Sequence, residues 1–313
     1  MEERRLEYTP RVATKANFLR SINRRKPPTK WNRGGTKAQR RQLTQDFVNL
    51  QATLKAEAIS KIPKASQAIF TKQTKLFEKK ALELGHRFRT ARKANADDPW
   101  TEEEIAIAIL IMADAAKFAF GNPTALSTMA RPTFQSLIDK SYTRTRFLLG
   151  EADGLSNPRL AGRNERILKK LKRVQISTLA MANFKIKQTF DDAAWFRIGY
   201  SWGEAVGIVG QAIQTRVAAP SRVLTIARTE GQRAVDEGLK EGIKLSDIVS
   251  HMSVIGCQAV EPNIPTYRGD PTCNIEDVPV EDVDLVDFHI NHTGAWVASR
   301  FRDEARGVSG VIV

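Results

Sequence analysis

Cysteine is almost absent from this chain: Cys257 and Cys273 are its only two in 313 residues. A chain of this length does not need a disulfide scaffold to hold a core together. Long hydrophobic runs are missing too. The longest, Ile105 to Met112, is soon interrupted by Asp114 and Lys117 and is too short to cross a bilayer. No phosphate loop, nucleophile elbow or dinucleotide fingerprint occurs, which removes the usual sequence grounds for several large enzyme classes. No internal repeat is visible. Proline (13) and glycine (19) are too sparse for wholesale disorder. The N-terminal Met-Glu-Glu-Arg-Arg is charged where a secretory signal would be apolar, so the expected compartment is cytoplasm-like.

Negative charge is also in short supply, and its distribution is uneven. The formal net charge is +14 and the pI about 9.9. Residues 1–41 hold 13 Lys/Arg against 3 Glu, whereas residues 257–313 hold 10 Asp/Glu against 4 Arg. A basic arm and body with an acidic end points to a polyanion partner on one side and a different contact on the other. Residues 1–41 also carry Pro27-Pro28, Gly34-Gly35 and interspersed Tyr8, Phe18 and Trp31, the composition of an extended arm. The candidate polyanion contacts are Arg4, Arg5, Arg24, Arg25, Lys26, Arg40 and Arg41. A second group is Arg166, Lys169, Lys170 and Arg173, part of a basic stretch in which Arg163, Arg166, Lys170 and Arg173 share one helical face.

The middle of the chain reads as helical. Phe47, Leu50, Leu54, Ala58 and Ile62 recur at helical spacing, and Pro63 is expected to end that helix. A second helix is expected from Ser66 to about Arg92, with Ile69, Leu76, Leu82 and Phe88 on its buried side. Thr101 and Glu104 form a capping box for an apolar helix, Ile105 to Phe120, expected at the centre of the core. Further helices are expected at 124–149, broken near Pro132, and at 159–190. Gly199, Gly203 and Gly207 recur every four residues, a spacing that would let another helix approach closely, with ordinary helix packing as the competing reading. Pro220 marks a boundary, with Ser221 as the N-cap of the next helix.

That helix carries an apolar stripe of mostly small residues (Leu224, Ala227, Gly231, Ala234 or Val235, and Gly238 or Leu239) backed by Glu230, Arg233 and Glu237 at ion-pair spacing. After Asp247 helical periodicity gives way to short strands at 251–256, 278–280 and 295–297. The expected class is mainly α: a basic arm (1–41), a helical domain (42–220) and a small α+β module (221–313). Within the module Cys257, Cys273, His289 and His292 supply two sulfurs and two nitrogens, a set that suits a structural tetrahedral zinc. Only His289 and His292 have knuckle-like spacing, and histidines hydrogen-bonded in a turn are the competing reading.

The run Ile226-Ala-Arg-Thr-Glu230, followed by Pro271-Thr-Cys273 and His289-Ile-Asn-His-Thr-Gly294, resembles the head morphogenesis (minor capsid) proteins of tailed bacteriophages, the phage Mu F-like group. The likeness covers about residues 220–300 and departs from the pattern at Ile290, where a proline is usual, and at His292, where a cysteine is usual. It implies a non-enzymatic virion component inside the head, made in the host cytoplasm and present in multiple copies near the portal vertex. Portal or major capsid protein and packaged double-stranded DNA are the implied partners, with no membrane. The alternative from another class is a virion-carried enzyme, a metal-dependent nuclease or nucleotide-modifying toxin, whose activity would depend on His289 or His292.

Overall fold

In the computed structural model the described residues are 36–86, 88, 99–151, 157–256, 275–286 and 294–302. They are mainly helical: α1 (Lys37–Leu84), α2 (Glu102–Phe120), α3 (Ala125–Leu148), α4 (Arg159–Phe190), α5 (Trp202–Val217) and α6 (Pro220–Lys244). Near the C-terminus β1 (Val249–Ile255), β2 (Val278–Pro279) and β3 (Ala295–Phe301) form a small antiparallel sheet in the order β2-β1-β3. The mainly-α class with a small C-terminal α+β part is therefore the architecture found.

The chain divides into two compact units. Unit 1 comprises Met1–Ile59, Phe134–Asn164 and Arg228–Val313; unit 2 comprises Ser60–Thr133 and Glu165–Ala227. Two expected helix breaks do not occur. Pro63 lies inside the 48-residue α1, and Pro132 lies inside α3. An interior proline costs one backbone hydrogen bond and roughly 3 kcal/mol. Buried side chains on both sides outweigh that cost. They are Leu54, Ala58 and Ile62 before Pro63, Phe70 and Phe77 after it, and Leu126 and Phe134 around Pro132. The second half of α1 also buries a different face from the one expected: Leu76 and Leu82 are exposed, and Phe70, Phe77 and Ala81 point inward.

Unit 1 is built around α6. From Thr229 to Ile243 every residue is buried except Arg233 and Glu237, which are intermediate. The small stripe predicted on this helix allows the approach. A Cβ at Gly238 would collide with the Ile138 carbonyl and stand 2.8 Å from Ser141 Cβ, and one at Gly242 would stand 2.8 Å from Thr145 Cγ2. Ser141 Oγ donates to the Val235 carbonyl at 2.6 Å, tying α3 to α6 at the same place. Both faces of β3 are covered, with Trp296 and Phe301 essentially inaccessible. Gln51 of α1 brackets Trp296, accepting from its backbone N–H at 2.9 Å and donating to its carbonyl at 2.7 Å. The start of α6 differs from expectation in one detail: Pro220 is its first residue, so Ser221 sits inside the first turn.

Unit 2 is a helical assembly closed at one end by aromatic rings. Trp100, Phe190, Trp195 and Trp202 cluster with ring centroids 4.5–6.5 Å apart. Each indole N–H finds a carbonyl: Trp100 on Tyr200 (2.8 Å), Trp195 on Thr189 (2.6 Å) and Trp202 on Ala81 (3.1 Å). Gly85 is the residue that admits Trp202, since a Cβ there would run into the indole. The Thr101–Glu104 capping box is formed as expected, and Ser201 with Glu204 makes a second one. Two expectations fail here. The apolar helix α2 is not surrounded: Leu110 is 68% exposed and Phe118 56%. Gly203 and Gly207 make no close contact, because a Cβ at either would meet open space.

Candidate polyanion surface and buried ionic centre

The sequence-predicted cations fall into three groups. Arg4, Arg5, Arg24, Arg25 and Lys26 lie outside the described residues. Arg40 and Arg41 occupy the first turn of α1, where Arg41 is exposed and the Arg40 guanidinium lies over the Phe301 ring at 5.1 Å. Arg166, Lys169 and Arg173 are exposed on α4, and Lys170 is half-buried. Arg40 and Arg41 belong to unit 1 and the α4 cations to unit 2. Cys257, Cys273, His289 and His292 also lie outside the described residues. Among the described residues no cluster of three His, Cys, Asp or Glu is arranged to hold a metal ion.

Arg163 departs furthest from the sequence reading. Grouped there with the outward basic face, it is 3% exposed. Its guanidinium donates to Glu241 (2.9 and 2.6 Å), Glu237 (2.8 Å) and Asp284 (2.6 Å). Lys244 adds a second cation on Asp284 at 2.6 Å. These five side chains tie the start of α4, the last turns of α6 and the Val283–Leu285 turn into one ionic node. Burial alone would weaken the Arg163 charge, but its hydrogen bonds to Asp284 and Glu237 hold its pKa above the ordinary value. Burial likewise works against ionised Asp284, yet its bonds to Arg163 and Lys244 bring it down to about 2.

A second buried group flanks the node. Asp236 and Lys240 project from α6 and Lys55 from α1. Lys240 Nζ donates to the Val286 carbonyl at 3.2 Å and sits 5.2 Å from the Trp296 ring centre. Lys55 Nζ donates to the Gly294 carbonyl at 2.8 Å. Val286 and Gly294 are the described residues on either side of 287–293, the stretch that contains His289 and His292. Burial pushes the Asp236 carboxyl up to about 6, against the pull of Lys55 and Lys240, and burial lowers both lysines. Gln232 donates to Asp236 Oδ1 at 2.6 Å, while Asp236 Oδ2 has no hydrogen-bond partner among the described residues. Chemically the arrangement fixes two backbone carbonyls with two buried ammonium groups and balances them with one carboxylate.

The predicted Glu230–Arg233 pairing is present at 2.6 Å. Glu237 pairs instead with Arg163, from a segment far away in sequence. Asp236, Lys240 and Lys55 were not singled out by sequence reasoning. The one local signal was that charges lie on every side of a helix whose glycines also call for close neighbours. Compared with protein-family models, with curated proteins and with solved structures, the chain finds no match.

Proposed function

We propose that this chain is a minor head protein of a tailed bacteriophage. It would be a non-enzymatic structural component inside the capsid near the portal vertex, in several copies, acting in head assembly, DNA packaging or DNA ejection. The observation that carries the reading is the run from Ile226-Ala-Arg-Thr-Glu230 into a compact β-bearing end, with the charges that follow the motif buried in that end. Such a unit suits docking against portal or capsid protein, because its internal ion pairs hold its shape while Glu276 and Glu281 stand exposed on it. The polyanion contact falls to the basic arm with Arg40 and Arg41, and secondarily to Arg166, Lys169, Lys170 and Arg173. That binding is non-specific and weakens steeply as salt rises. No helix among the described residues is long and apolar enough to cross a membrane.

The test is location. Electron cryomicroscopy of intact particles carrying a tagged copy should place the protein at the portal vertex, and recovery only from free cytoplasm would refute the proposal. On purified protein, reversing Arg4, Arg5, Arg24, Arg25, Lys26, Arg40 and Arg41 to Glu should abolish the salt-dependent binding of duplex DNA. Unchanged binding would remove the arm from the interface.

A further inference from the structure

Unit 2 opens apolar side chains to solvent on neighbouring helices. On α2 these are Ile107, Leu110 and Phe118; on α4 they are Ile176 and Phe184, each 61% exposed. The two helices run antiparallel beside one another. Trp100, just before α2, meets Phe190 at the end of α4 with ring centroids 5.9 Å apart, and at the other end Gln175 Nε2 donates to the Phe120 carbonyl at 3.0 Å. In each helix the exposed apolar positions lie opposite the buried stripe, so both sets face outward on these neighbouring helices, with Lys80 Nζ over the Phe118 ring at 5.1 Å at one edge.

The charges around this patch are ordered along it. Exposed Glu102 and Glu103 at the start of α2, with Asp191 and Asp192 after α4, make one end acidic, against half-buried Lys185 and exposed Lys187 and Arg197. Lys172, Arg173, Lys169 and Arg166 make the other end basic, and Asp114 and Lys117 lie between. Acidic end, apolar middle and basic end form a self-complementary pattern. A twofold axis that turns one copy end for end lays apolar on apolar and acid on base. A lipid surface would favour cations around the apolar patch rather than carboxylates at one end. A nucleic acid would gain nothing from the apolar middle.

We propose that this face joins two copies of the chain, in an isologous contact centred on Leu110 and Phe184, with Glu102 and Glu103 of each copy against Lys172 and Arg173 of the other. The pairing engages Lys172 and Arg173 and leaves exposed Lys169, further along the helix, outside the contact. It does not depend on the head-protein reading: a chain with this face self-associates wherever it is found.

Sedimentation velocity of the full chain, without nucleic acid, from about 1 to about 100 µM tests it, since stable dimers of modest interface fall in this affinity range. The expected result is a concentration-dependent dimer. Replacing Leu110 and Phe184 together with Gln should weaken it by about tenfold or more, with circular dichroism and melting unchanged because both residues are exposed. Glu102→Lys with Glu103→Lys should weaken it as well, and adding Lys172→Glu and Arg173→Glu to that variant should restore it. A monomer at the highest concentration, a dimer indifferent to the Leu110 and Phe184 replacements, or no recovery in the charge-swapped variant would each overturn the proposal. So would a monomer that instead binds anionic vesicles through Leu110 and Phe184.

Discussion

The two helices α2 and α6 reverse what their compositions suggest. α2 is the most apolar of the described helices, yet one side of it faces solvent with Ile107, Leu110 and Phe118. α6 carries Glu230, Arg233, Asp236, Glu237, Lys240 and Glu241, yet between Thr229 and Ile243 it is enclosed on all sides. The difference lies in partners. Each buried charge of α6 is answered from another segment or from its own next turn: Arg163 comes from α4, Lys55 from α1 and Asp284 from the turn after β2. Burying such charges without partners would cost several kcal/mol apiece. Unit 1 therefore depends on completed ion pairs, whereas unit 2 depends on ring packing and leaves apolar area unused.

Breaking the node should give the largest effect. Arg163→Met leaves Glu241, Glu237 and Asp284 without their shared cation and should lower stability by about 3–5 kcal/mol in urea denaturation. A loss under about 1 kcal/mol would mean that the node is solvated.

Asp236 gives the next effect, and its sign differs from that of Asp284. Its folded pKa of about 6 lies above the ~3.9 of an unfolded chain. Its stabilising contribution is thus complete below about pH 4 and lost as pH rises through about 6, a change of about 1–3 kcal/mol. Asp236→Asn should remove that decline from the stability–pH curve. Asp284, held at about 2, contributes above about pH 4 and loses its contribution as pH falls towards about 2. An unaltered slope in the Asn variant would show that Asp236 is not the titrating group.

Glycine substitution separates the units at finer scale. Gly238→Ala pushes a methyl against Ile138 and Ser141 and should cost about 1–2 kcal/mol net of the helix preference of Ala. Gly207→Ala, facing open space, should raise stability by about 0.5–1 kcal/mol. Thermal melts that moved in the same direction for both would erase the distinction.

Much of the fold was legible where the signal is local. The Thr101–Glu104 box, the helices expected at 124–149 and 159–190 and the strands expected at 251–256 and 295–297 follow from capping chemistry, periodicity and its loss after Asp247, and they are found at Ala125–Leu148, Arg159–Phe190, Val249–Ile255 and Ala295–Phe301. Pro63 and Pro132 misled because a proline's cost is local, while the burial that overrides it comes from distant segments. The face of α4 was half legible: periodicity grouped Arg163 with Arg166 and Arg173, but Arg163 turns inward to carboxylates roughly eighty residues later in the chain. The buried centre was illegible for the same reason, since Lys55 and Asp236 meet only once the chain has folded. Arg166 and Arg173, grouped on that face by spacing alone, are exposed, while Lys170 is half-buried.

Lys55 and Lys240 grip main-chain carbonyls, of Gly294 and Val286, rather than side chains. A grip of this kind does not read residue identity. What the two ammonium groups fix is the course of the backbone at two points, so the grip depends on where the chain runs and not on which side chains it carries there.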